Sequence, residues 1–396
     1  MPESKPNWNR LLMYLAGMVV TAAVTAVLTC VGVPREVVDR IVEVEKPEEG
    51  ASEKLNTTGW YADPAAVNAV VQSDGPRVFA DTPAGQVRDL PKSVYLWKAH
   101  ESLLGSLPPA KNQNPIGSCV AHGTNNAVER SLAAEIVHRG GDRSEFTHFA
   151  EEATYAGSRI EVGKGAIRPT WRDPTGDGSI GAWAKDFVVK WGMVPRQDYP
   201  GVADLTKYDP KRCRAWGRHD GQGVPAELEA VARKFPVKDG IRITSWADTK
   251  KANASGYAVA VCSDQGFNDP GPPGREPVGT RDARGVCKPR GEWAHCMCID
   301  GYHTDENGRE FGHVENSWGP DAHKGPVGWG SPSTAGFWAE SWVLDAMLKQ
   351  GDSWAFSGVT GFPAKNLPLD WVIQANPQRE RDPFALLGRR GFALAP

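Results

Sequence analysis

Apolar side chains recur with a period of about 3.6 residues over 119–140, and this spacing predicts a long helix. We expect the helix to end at the glycine pair that begins with Gly140, because glycine readily adopts the left-handed conformation that closes many helices. A shorter stretch over 181–191 has the same period and is followed by Gly192. The pattern therefore predicts two helices in this part of the chain.

Two later stretches, 257–261 and 294–302, are short and nearly continuous in apolar residues. Such runs are typical of strands buried on both faces. A segment rich in Gly, Pro and Arg over 268–290 separates them and predicts a long loop. Because the predicted helices precede the predicted strands, the pattern favours an α+β fold.

A strongly apolar segment follows the first ten residues. No charged residue lies between Arg10 and Arg35, and the run 11–34 is long enough to cross the ~30 Å hydrocarbon core of a membrane as a helix. We expect a cytoplasmic stub over 1–10, a single transmembrane helix or signal anchor over 11–34, and a body on the non-cytoplasmic side of the membrane. The alternative is a cleaved signal peptide, which would make the protein secreted.

The character of the sequence changes twice after this segment. Residues 35–89 are mostly polar and rich in turn residues, so they predict a stalk or a short pro-like spacer. The globular body is expected over 90–363. Residues 364–396 show no periodic pattern and are expected to form a C-terminal tail.

Composition narrows the classes of function. The 396 residues carry a formal net charge of -3, which offers no extended basic surface, so nucleic acid is not an expected partner. The cysteines are too dilute for a disulfide scaffold, and no spaced pair of C-x-x-C motifs suggests structural zinc. Cys296 and Cys298 are expected to pack in the core or to bridge to Cys262 or Cys287. The oligomeric state is left open.

A glycine-containing turn delivers Cys119 to the first position of the predicted long helix. Backbone N–H groups and the positive end of the helix dipole stabilise a thiolate, so we expect Cys119 to have a lowered pKa and to act as a nucleophile. Gln113, shortly before it, carries an amide that would help the Cys119 backbone N–H to hold an oxyanion.

A nucleophilic thiol also needs a base, and the base needs a group that orients it. His295 stands at the head of the second predicted strand and is preferred to His303 and His313 for that reason. The side-chain oxygen of Asn316 is expected to accept the Nδ1–H of His295, with Trp318 covering this bond from water.

In order along the chain, the segments around Cys119, His295 and Asn316 resemble the nucleophile, histidine and asparagine motifs of the papain-like cysteine peptidases (C1-type). The resemblance covers 90–363 and implies a papain-like fold with a helical subdomain and a β-rich subdomain. It implies that Cys119 is the nucleophile and His295 the general base and acid. Asn316 would orient His295, and Gln113 would supply the oxyanion-hole side chain. No cofactor or metal is implied.

The resemblance also implies where substrate binds. Gly178, Ser179 and Ile180 resemble the segment whose backbone pairs with an extended peptide or protein substrate, and Trp318 would line the same cleft. The implied function is a membrane-tethered cysteine endopeptidase, a hydrolase that cleaves peptide bonds.

Some features depart from the family. Ile116 stands where many secreted members carry a bridging cysteine, Val120 replaces an aromatic residue, and His122 lies one helical turn after the nucleophile. The chain between Cys119 and His295 is longer than the about 130–150 residues usual for the family. No long charged helical pro-region precedes the body, so the sequence does not support control by a pro-region of the usual type.

Two other functions are compatible with the same residues. A catalytically weak papain fold would serve as an anchored peptide-binding or structural module at a surface. An acyl transferase would use the same Cys, His and Asn side chains with an amine acceptor in place of water.

Overall fold

The computed structural model describes residues 59–75, 77–113, 115–171, 173, 175–269, 278–320, 322–368 and 371–373. Contacts divide the chain at Leu55, and every described residue belongs to the unit that begins at Asn56. The predicted stub over 1–10 and membrane segment over 11–34 lie outside the described residues. Within the described ranges, none of the helices combines the length and the apolar character needed to cross a bilayer.

The helices of the described chain lie at Pro64–Asp74 (α1), Trp97–Leu104 (α2), Cys119–His138 (α3), Glu151–Ala156 (α4), Gly181–Lys190 (α5), Pro210–Gly217 (α6), Ala226–Ala232 (α7), Trp246–Ala254 (α8) and Ser341–Leu348 (α9). A π-helical turn over Gly157–Val162 continues α4. The predicted helices over 119–140 and 181–191 are confirmed as α3 and α5.

Most of α3 is buried, including polar positions on faces that the apolar period left unassigned. Arg130 pairs with Asp300 of the sheet at 3.1 Å, and Glu129 pairs with Lys111 at 2.9 Å. Breaking a buried ion pair leaves an uncompensated charge, so these pairs hold α3 in one position against its neighbours. Gly123 allows close packing, because a Cβ there would lie 2.9 Å from Sγ of Cys296.

The strands lie at Ser93–Tyr95 (β1), Asp198–Tyr199 (β2), Ala203–Asp204 (β3), Asp239–Arg242 (β4), Val259–Gln265 (β5), Glu292–Thr304 (β6), Glu310–Glu315 (β7), Gly336–Glu340 (β8), Trp354–Ser357 (β9) and Val372–Ile373 (β10). One eight-stranded sheet has the order β10-β1-β6-β5-β9-β4, with β7 pairing to β6 and β8 to β7. Neighbouring strands in it are antiparallel. The short strands β2 and β3 pair separately.

The predicted strands over 257–261 and 294–302 are confirmed as β5 and β6, which pair directly. Ser263 lies opposite His295, and Cys262 lies opposite Cys296. Because successive side chains on a strand alternate between faces, His295 and Cys296 point to opposite sides of the sheet. The described cysteines are all free and buried, which agrees with core packing and not with a bridge between them.

The architecture is a mixed α+β fold, as the order of the patterns predicted. Helices α3 to α7 precede the long strands β5 and β6 in the chain, and α3 packs directly on β6 and β5. Cys119 at the start of α3 is therefore placed beside the strand that carries His295.

Two segments that the sequence assigned outside the body contribute elements to this fold. Within the predicted spacer over 35–89, α1 packs against α5. Within the predicted tail over 364–396, Trp371 is fully buried and β10 pairs with β1. The proposed domain boundaries stay a prediction, but the described parts of both segments pack on the sheet and helices of the body.

Candidate active site

Cys119 is the first residue of α3 and follows the N-cap residue Ser118. The N–H of Ser118 donates to the carbonyl of Ile116 at 2.8 Å, which closes the turn that leads into the helix. The Cys119 thiol is fully buried beside the backbone N–H groups of Val120 and Cys296. Since Cys296 directly follows the histidine in β6, the helix start and the strand meet at the sulfur atom.

The pKa of this thiol differs from the sequence prediction. Burial raises the pKa of Cys119 well above its ordinary value, and the neighbouring backbone N–H groups lower it by less. The expectation of a lowered pKa is therefore wrong for the arrangement seen here. The reason is that a helix N-terminus does not compensate for complete removal of water from a thiolate.

His295 and Asn316 form the predicted pair, but through the other ring nitrogen. Nε2 of His295 lies 2.8 Å from Oδ1 of Asn316, whereas the expected donor was Nδ1. An amide oxygen only accepts, so His295 donates from Nε2 and its neutral ring keeps a lone pair at Nδ1. That Nδ1 is buried and has no hydrogen-bond partner among the described residues. It is thus the nitrogen that is available to take up a proton.

His295 is neutral in this structure. Burial lowers its pKa to about 4, and the bond to Asn316 raises the pKa by less. Together with the raised pKa of Cys119, this means that the thiol and the imidazole are both uncharged at neutral pH while water is excluded.

The amide of Asn316 is held by several partners. Its Oδ1 also accepts from the N–H of Ser317 at 2.7 Å, and its Nδ2 donates to Nε2 of His323 at 3.0 Å. His323 donates from Nδ1 to the carbonyl of Gly279 at 2.9 Å. Burial lowers the pKa of His323 to about 4, so its Nε2 remains an acceptor at neutral pH. A continuous hydrogen-bond chain therefore runs from Gly279 to His295.

Aromatic rings enclose this histidine. The indole of Trp318 stacks on His295 with ring centroids 4.6 Å apart and planes at 28°. The ring of Trp293 contacts the ring of His295 edge-on, with centroids 6.3 Å apart. It also contacts the indole of Trp318 edge-on, with centroids 4.5 Å apart. Trp318 thus lies against the ring whose bond to Asn316 it was expected to cover from water, and its role in binding substrate stays a prediction.

Gln113 is tied to the same loop as Asn316. Its backbone N–H donates to the carbonyl of Ser317 at 2.8 Å, and the Ser317 hydroxyl donates to Oε1 of Gln113 at 2.6 Å. Its Nε2 donates to the carbonyl of Ile116 at 3.1 Å. Because Ser317 holds Oε1, the donor end of the amide faces the turn before Cys119, as an oxyanion-hole side chain requires.

An extended segment of the chain itself, residues 59–61, crosses this site, and we call it the cover segment. The backbone N–H groups of Gly59 and Trp60 donate to the carbonyl of Ala294, one residue before the catalytic candidate in β6, at 2.8 and 2.9 Å. On the other side, Ser179 donates to the Gly59 carbonyl at 2.7 Å and accepts from Tyr61 at 2.9 Å. The cover segment is therefore held on both sides by backbone hydrogen bonds and runs parallel to the chain at Ser179.

The fit of the cover segment depends on glycine. A Cβ on Gly59 would lie 2.5 Å from the carbonyl oxygen of Gly117, two residues before Cys119. A Cβ on Gly178 would lie 2.7 Å from the Gly59 carbonyl, and Gly178 has a positive φ of 105° that L-residues avoid. The cover segment thus lies directly on the turn that carries Cys119, whose thiol is fully buried.

Of the three residues 178–180 predicted to bind substrate, two contact the cover segment and one lies behind it. Gly178 and Ser179 contact the cover segment through their backbones. Ile180 is buried and is the N-cap residue of α5, behind that contact.

The side chain of Trp60 is buried beside the cover segment and ends on a carboxylate. Its Nε1 donates to Oδ2 of Asp352 at 2.8 Å. Asp352 also accepts from the N–H groups of Gly181 and Ala182 at the start of α5, both at 2.7 Å, and from Nε1 of Trp354 at 2.8 Å. Burial raises the pKa of Asp352 to about 6, and these hydrogen bonds limit the rise.

Val120 and His122, which differ from the pattern of the resembled family, are both packed inside the fold. Val120 is buried in the core. Nδ1 of His122 lies 3.0 Å from the carbonyl of Ser118, and its ring packs against Tyr208 with centroids 4.9 Å apart. Burial lowers the pKa of His122 to about 4. His122 therefore braces the turn before Cys119 as a neutral ring.

The rival histidines lie elsewhere in the sheet. Nδ1 of His303 is 2.7 Å from the Ser93 hydroxyl, and Nδ1 of His313 is 2.6 Å from Oδ1 of Asp300. Each is thus engaged with a neighbouring strand.

Asp300, His313 and Glu315 offer metal-ligand atoms within 4.8 Å of one another. Arg130 already pairs with Asp300 at 3.1 Å, and the Ser333 hydroxyl donates to Glu315 at 2.7 Å. Since protein groups already meet these carboxylates, we interpret the cluster as an internal ion-pair network that joins α3 to the sheet.

Four residues of the site were not found from the sequence: Trp60, Ser317, His323 and Asp352. Ser317 adjoins Asn316 and was within reach of motif analysis. Trp60 and Asp352 lie 292 residues apart in the chain. His323 lies seven residues after Asn316, but no periodic pattern marks the loop that carries it. A large aromatic residue in a polar spacer was the one available signal for Trp60.

Among the comparisons with known proteins, only the one with solved structures found similar chains. No protein-family model matches the chain, and no curated protein matches its sequence. Among solved structures, the chain resembles xylellain, a cysteine protease from Xylella fastidiosa, with 18% identity and a TM-score of 0.46 over 76% of this chain and 91% of that one.

Two further solved structures resemble the chain. One is the digestive procathepsin L 3 of Tenebrio molitor, with 17% identity and a TM-score of 0.42 over 68% of this chain and 71% of that one. The other is the bromelain protease from Ananas comosus in complex with the E64 inhibitor, with 18% identity and a TM-score of 0.38 over 68% of this chain and 99% of that one. With identities and TM-scores this low, their activity does not transfer to this chain by similarity alone.

Proposed function

We propose that the protein is a cysteine peptidase that hydrolyses peptide bonds with Cys119 as nucleophile. His295 takes the thiol proton at Nδ1, and Sγ of Cys119 attacks the peptide carbonyl carbon. The Gln113 amide and the Cys119 backbone N–H hold the oxyanion. The carbon–nitrogen bond then breaks, and His295 passes its proton to the leaving amine. His295 next takes a proton from water, which attacks the thioester, and the acid product leaves as the thiol re-forms.

The single observation that carries the proposal is the state of His295. Its Nε2 is anchored to Asn316 at 2.8 Å, and its Nδ1 is left with a lone pair. The Cys119 thiol lies at the backbone N–H of the next residue in β6. A general base needs one fixed and one unengaged nitrogen. His100 and His313 also have a buried nitrogen without a partner among the described residues, but His295 is the one that directly precedes Cys296, whose N–H lies at the Cys119 sulfur.

The cover segment supports an extended peptide as the substrate class. Backbone donors and acceptors at Ala294 and Ser179 hold residues 59–61 on both sides, without reference to their side chains. These groups would pair in the same way with a substrate main chain once the cover segment has left, which is how peptide clefts recognise extended ligands.

The experiment compares Cys119 reactivity in the full chain and in a full chain opened by Trp60→Gly. Site-resolved alkylation by iodoacetamide is followed by peptide mass across mildly acidic to neutral pH, with and without His295→Ala. Hydrolysis of a denatured protein and of peptide coumarylamides is measured on the same samples, with Cys119→Ser as the inactive control. We expect rapid labelling of Cys119 below the ordinary thiol pKa of about 8.5 in the opened chain only, dependent on His295, together with hydrolysis.

One observation favours a second function, a peptide-binding module without turnover. The cleft is filled by the chain itself, and burial holds the Cys119 thiol in its protonated form. If Cys119 of the opened chain reacts no faster than Cys213 and no hydrolysis is detected, the peptidase proposal fails and the binding module replaces it. Product mass in the presence of an added amine separates hydrolysis from acyl transfer.

We also propose that residues 11–34 tether the body to a membrane from the non-cytoplasmic side. The uncharged apolar run between Arg10 and Arg35 supports this proposal. Resistance of the full chain to carbonate extraction is the expected result, and release of the intact chain by carbonate would contradict it.

A further inference from the structure

We propose that Cys296 is a resolving thiol for Cys119: when a peroxide oxidises Cys119 to a sulfenic acid, Cys296 captures it as a Cys119–Cys296 disulfide. Such a disulfide blocks the nucleophile reversibly and protects it from irreversible oxidation to the sulfinic acid. The proposal rests on the proposed function for the reactivity of Cys119, but not for the placement of the two thiols.

The side chain of Cys296 lies against the face of α3 that begins with Cys119. Residues four apart on a helix share a face, and Gly123 is the residue four positions after Cys119. A Cβ on Gly123 would lie 2.9 Å from Sγ of Cys296. The sulfur of Cys119 in turn lies beside the backbone N–H of Cys296. Cys296 therefore points at the first turn of α3, next to the nucleophile.

The two thiols are also electrostatic neighbours. Burial is the largest cause of the raised pKa of Cys119, and the thiol of Cys296 is the next. A charge shifts the pKa of another group mainly when the two lie within a few Å. A disulfide needs Cβ atoms about 3.5–4.5 Å apart, so its formation tests directly whether the two side chains meet.

A third thiol lies beside Cys296. Cys262 is directly opposite Cys296 in the pairing of β5 with β6, so the two side chains share the face that packs on α3. Burial raises the pKa of Cys262, and a hydrogen bond with Cys296 raises it further. An isolated buried cysteine packs as a small apolar residue, whereas a row of neighbouring thiols offers a partner to an oxidised sulfur.

The oxidation balances with peroxide as the only co-reactant. Peroxide transfers one oxygen atom to Sγ of Cys119 and leaves as water, so the thiol is oxidised and the peroxide is reduced. Sγ of Cys296 then attacks the sulfenyl sulfur, the S–O bond breaks, and the hydroxide leaves as water with the thiol proton. Two thiols and one peroxide thus give one disulfide and two water molecules.

The cover segment controls when this reaction can occur. Burial keeps the Cys119 thiol protonated in the closed chain, and a protonated thiol is a poor nucleophile towards peroxide. We therefore expect oxidation mainly in the chain opened by Trp60→Gly, with the closed wild-type chain as the protected control.

The first experiment treats the full Trp60→Gly chain with hydrogen peroxide at neutral pH, blocks the remaining thiols with iodoacetamide and analyses unreduced tryptic peptides by mass. Trypsin releases Cys119 within 112–130 and Cys296 within 291–309, so their disulfide is an identifiable species. We expect it to form as alkylation of Cys119 is lost, and dithiothreitol to restore that alkylation. Sulfinic acid at Cys119 in place of the disulfide, or a Cys262–Cys296 disulfide with Cys119 still reduced, would overturn the proposal.

Cys298 provides the matched control, because it lies two residues further along β6 and on the same face as Cys296. Cys296→Ala should raise the yield of Cys119 sulfinic acid at least about tenfold, whereas Cys298→Ala should leave it within about twofold. The disulfide must persist in Cys298→Ala, which also assigns the partner within peptide 291–309. Equal yields of sulfinic acid in the two variants would contradict a resolving role. Labelling of Cys213 and thermal unfolding report any change in the fold.

Hydrolysis of peptide coumarylamides before and after peroxide separates this proposal from the proposed function. Hydrolysis that is lost on oxidation and restored by dithiothreitol supports both. Hydrolysis in a chain that forms no Cys119–Cys296 disulfide refutes the resolving thiol and leaves the peptidase proposal intact. A reversible disulfide in a chain without hydrolysis refutes the peptidase proposal and leaves the thiol pair intact.

Discussion

Nδ2 of Asn316 donates a hydrogen bond to Nε2 of His323 at 3.0 Å, and this contact sets which end of the amide faces His295. Oδ1 of Asn316 then accepts from His295 at 2.8 Å. If the amide turned over, Nδ2 would face a ring nitrogen that must donate, and Nδ1 of His295 would lose its role as acceptor. His323 is therefore a positioning residue for the proposed base.

His323→Phe should lower kcat of the opened enzyme about tenfold, because it removes the acceptor for Asn316 while keeping a ring in the core. KM should change little, since within the described ranges the hydrogen bonds of His323 go to Asn316 and Gly279 and not to the cover segment or to the backbone groups that hold it. His323→Gln offers an oxygen acceptor at a similar distance and should restore kcat to within about threefold. Steady-state kinetics on the Trp60→Gly background measures both parameters. Equal losses in the Phe and Gln variants would contradict a positioning role.

Gly59→Val should displace the cover segment, because even a Cβ would lie 2.5 Å from the Gly117 carbonyl. Readmission of water to Cys119 should lower the thiol pKa, since burial is the first cause of its rise. Alkylation of Cys119 at neutral pH should then be at least about tenfold faster than in the wild type. The labelling rate of Cys213 is the control for unfolding. A Cys119 rate unchanged by Gly59→Val would show that the cover segment does not protect the thiol.

The stability of the fold should decrease as the pH falls from about 7 to about 4. Burial lowers the pKa of five histidines from 6.5 to about 4: His100, His122, His295, His303 and His323. Between these values the unfolded chain binds more protons than the folded chain, so the free energy of unfolding rises with pH. Asp352, with a pKa raised to about 6, acts in the opposite direction, as do Glu152, Glu161 and Glu315, whose pKa values burial also raises.

Urea unfolding at a series of pH values measures this dependence. His122→Gln removes one of the five groups, so its free energy of unfolding should depend less steeply on pH between about 4 and 6.5. A midpoint that stays constant over this range in the wild type would contradict the buried neutral histidines.

Arg130→Met should lower the free energy of unfolding by about 3–5 kcal/mol, because it leaves Asp300 buried without its cation. The double variant Arg130→Met, Asp300→Asn should recover part of this loss, since the uncompensated charge is then absent. Arg218→Met is the matched control: the Arg218–Asp220 pair is more than half exposed and should contribute less than about 1 kcal/mol. If urea unfolding shows similar decreases in the free energy of unfolding for the two arginine variants, the buried pair does not stabilise the fold more than the exposed pair does.

Local pattern determined much of the fold in advance. The apolar period and the glycine that follows it located α3, and the same reasoning located α5. Continuous apolar runs located β5 and β6 because a buried strand has no polar face. Cys119, His295, Asn316 and Gln113 were chosen from residue types in neighbouring positions together with the resemblance of their motifs to a known family, and the structure brings these side chains into one site.

Tertiary structure alone decided how that site is arranged. The use of Nε2 by His295 depends on Asn316 and on His323, which arrive from a different strand end and loop. The pocket of Trp60 and Asp352 joins positions at opposite ends of the described chain. Periodicity and short motifs do not predict such contacts, because these signals depend only on residues that are close together in the chain.

The sequence by itself therefore determined which chemical groups are present and which helix or strand carries them. It could not determine their protonation. The dipole of α3 predicted a lowered pKa for Cys119, whereas complete burial in the folded chain raises that pKa. Residues 59–61, distant along the chain, lie on the turn that carries this thiol. Solvent access is a property of the packed chain, and it outweighs the local electrostatic effect of the helix start.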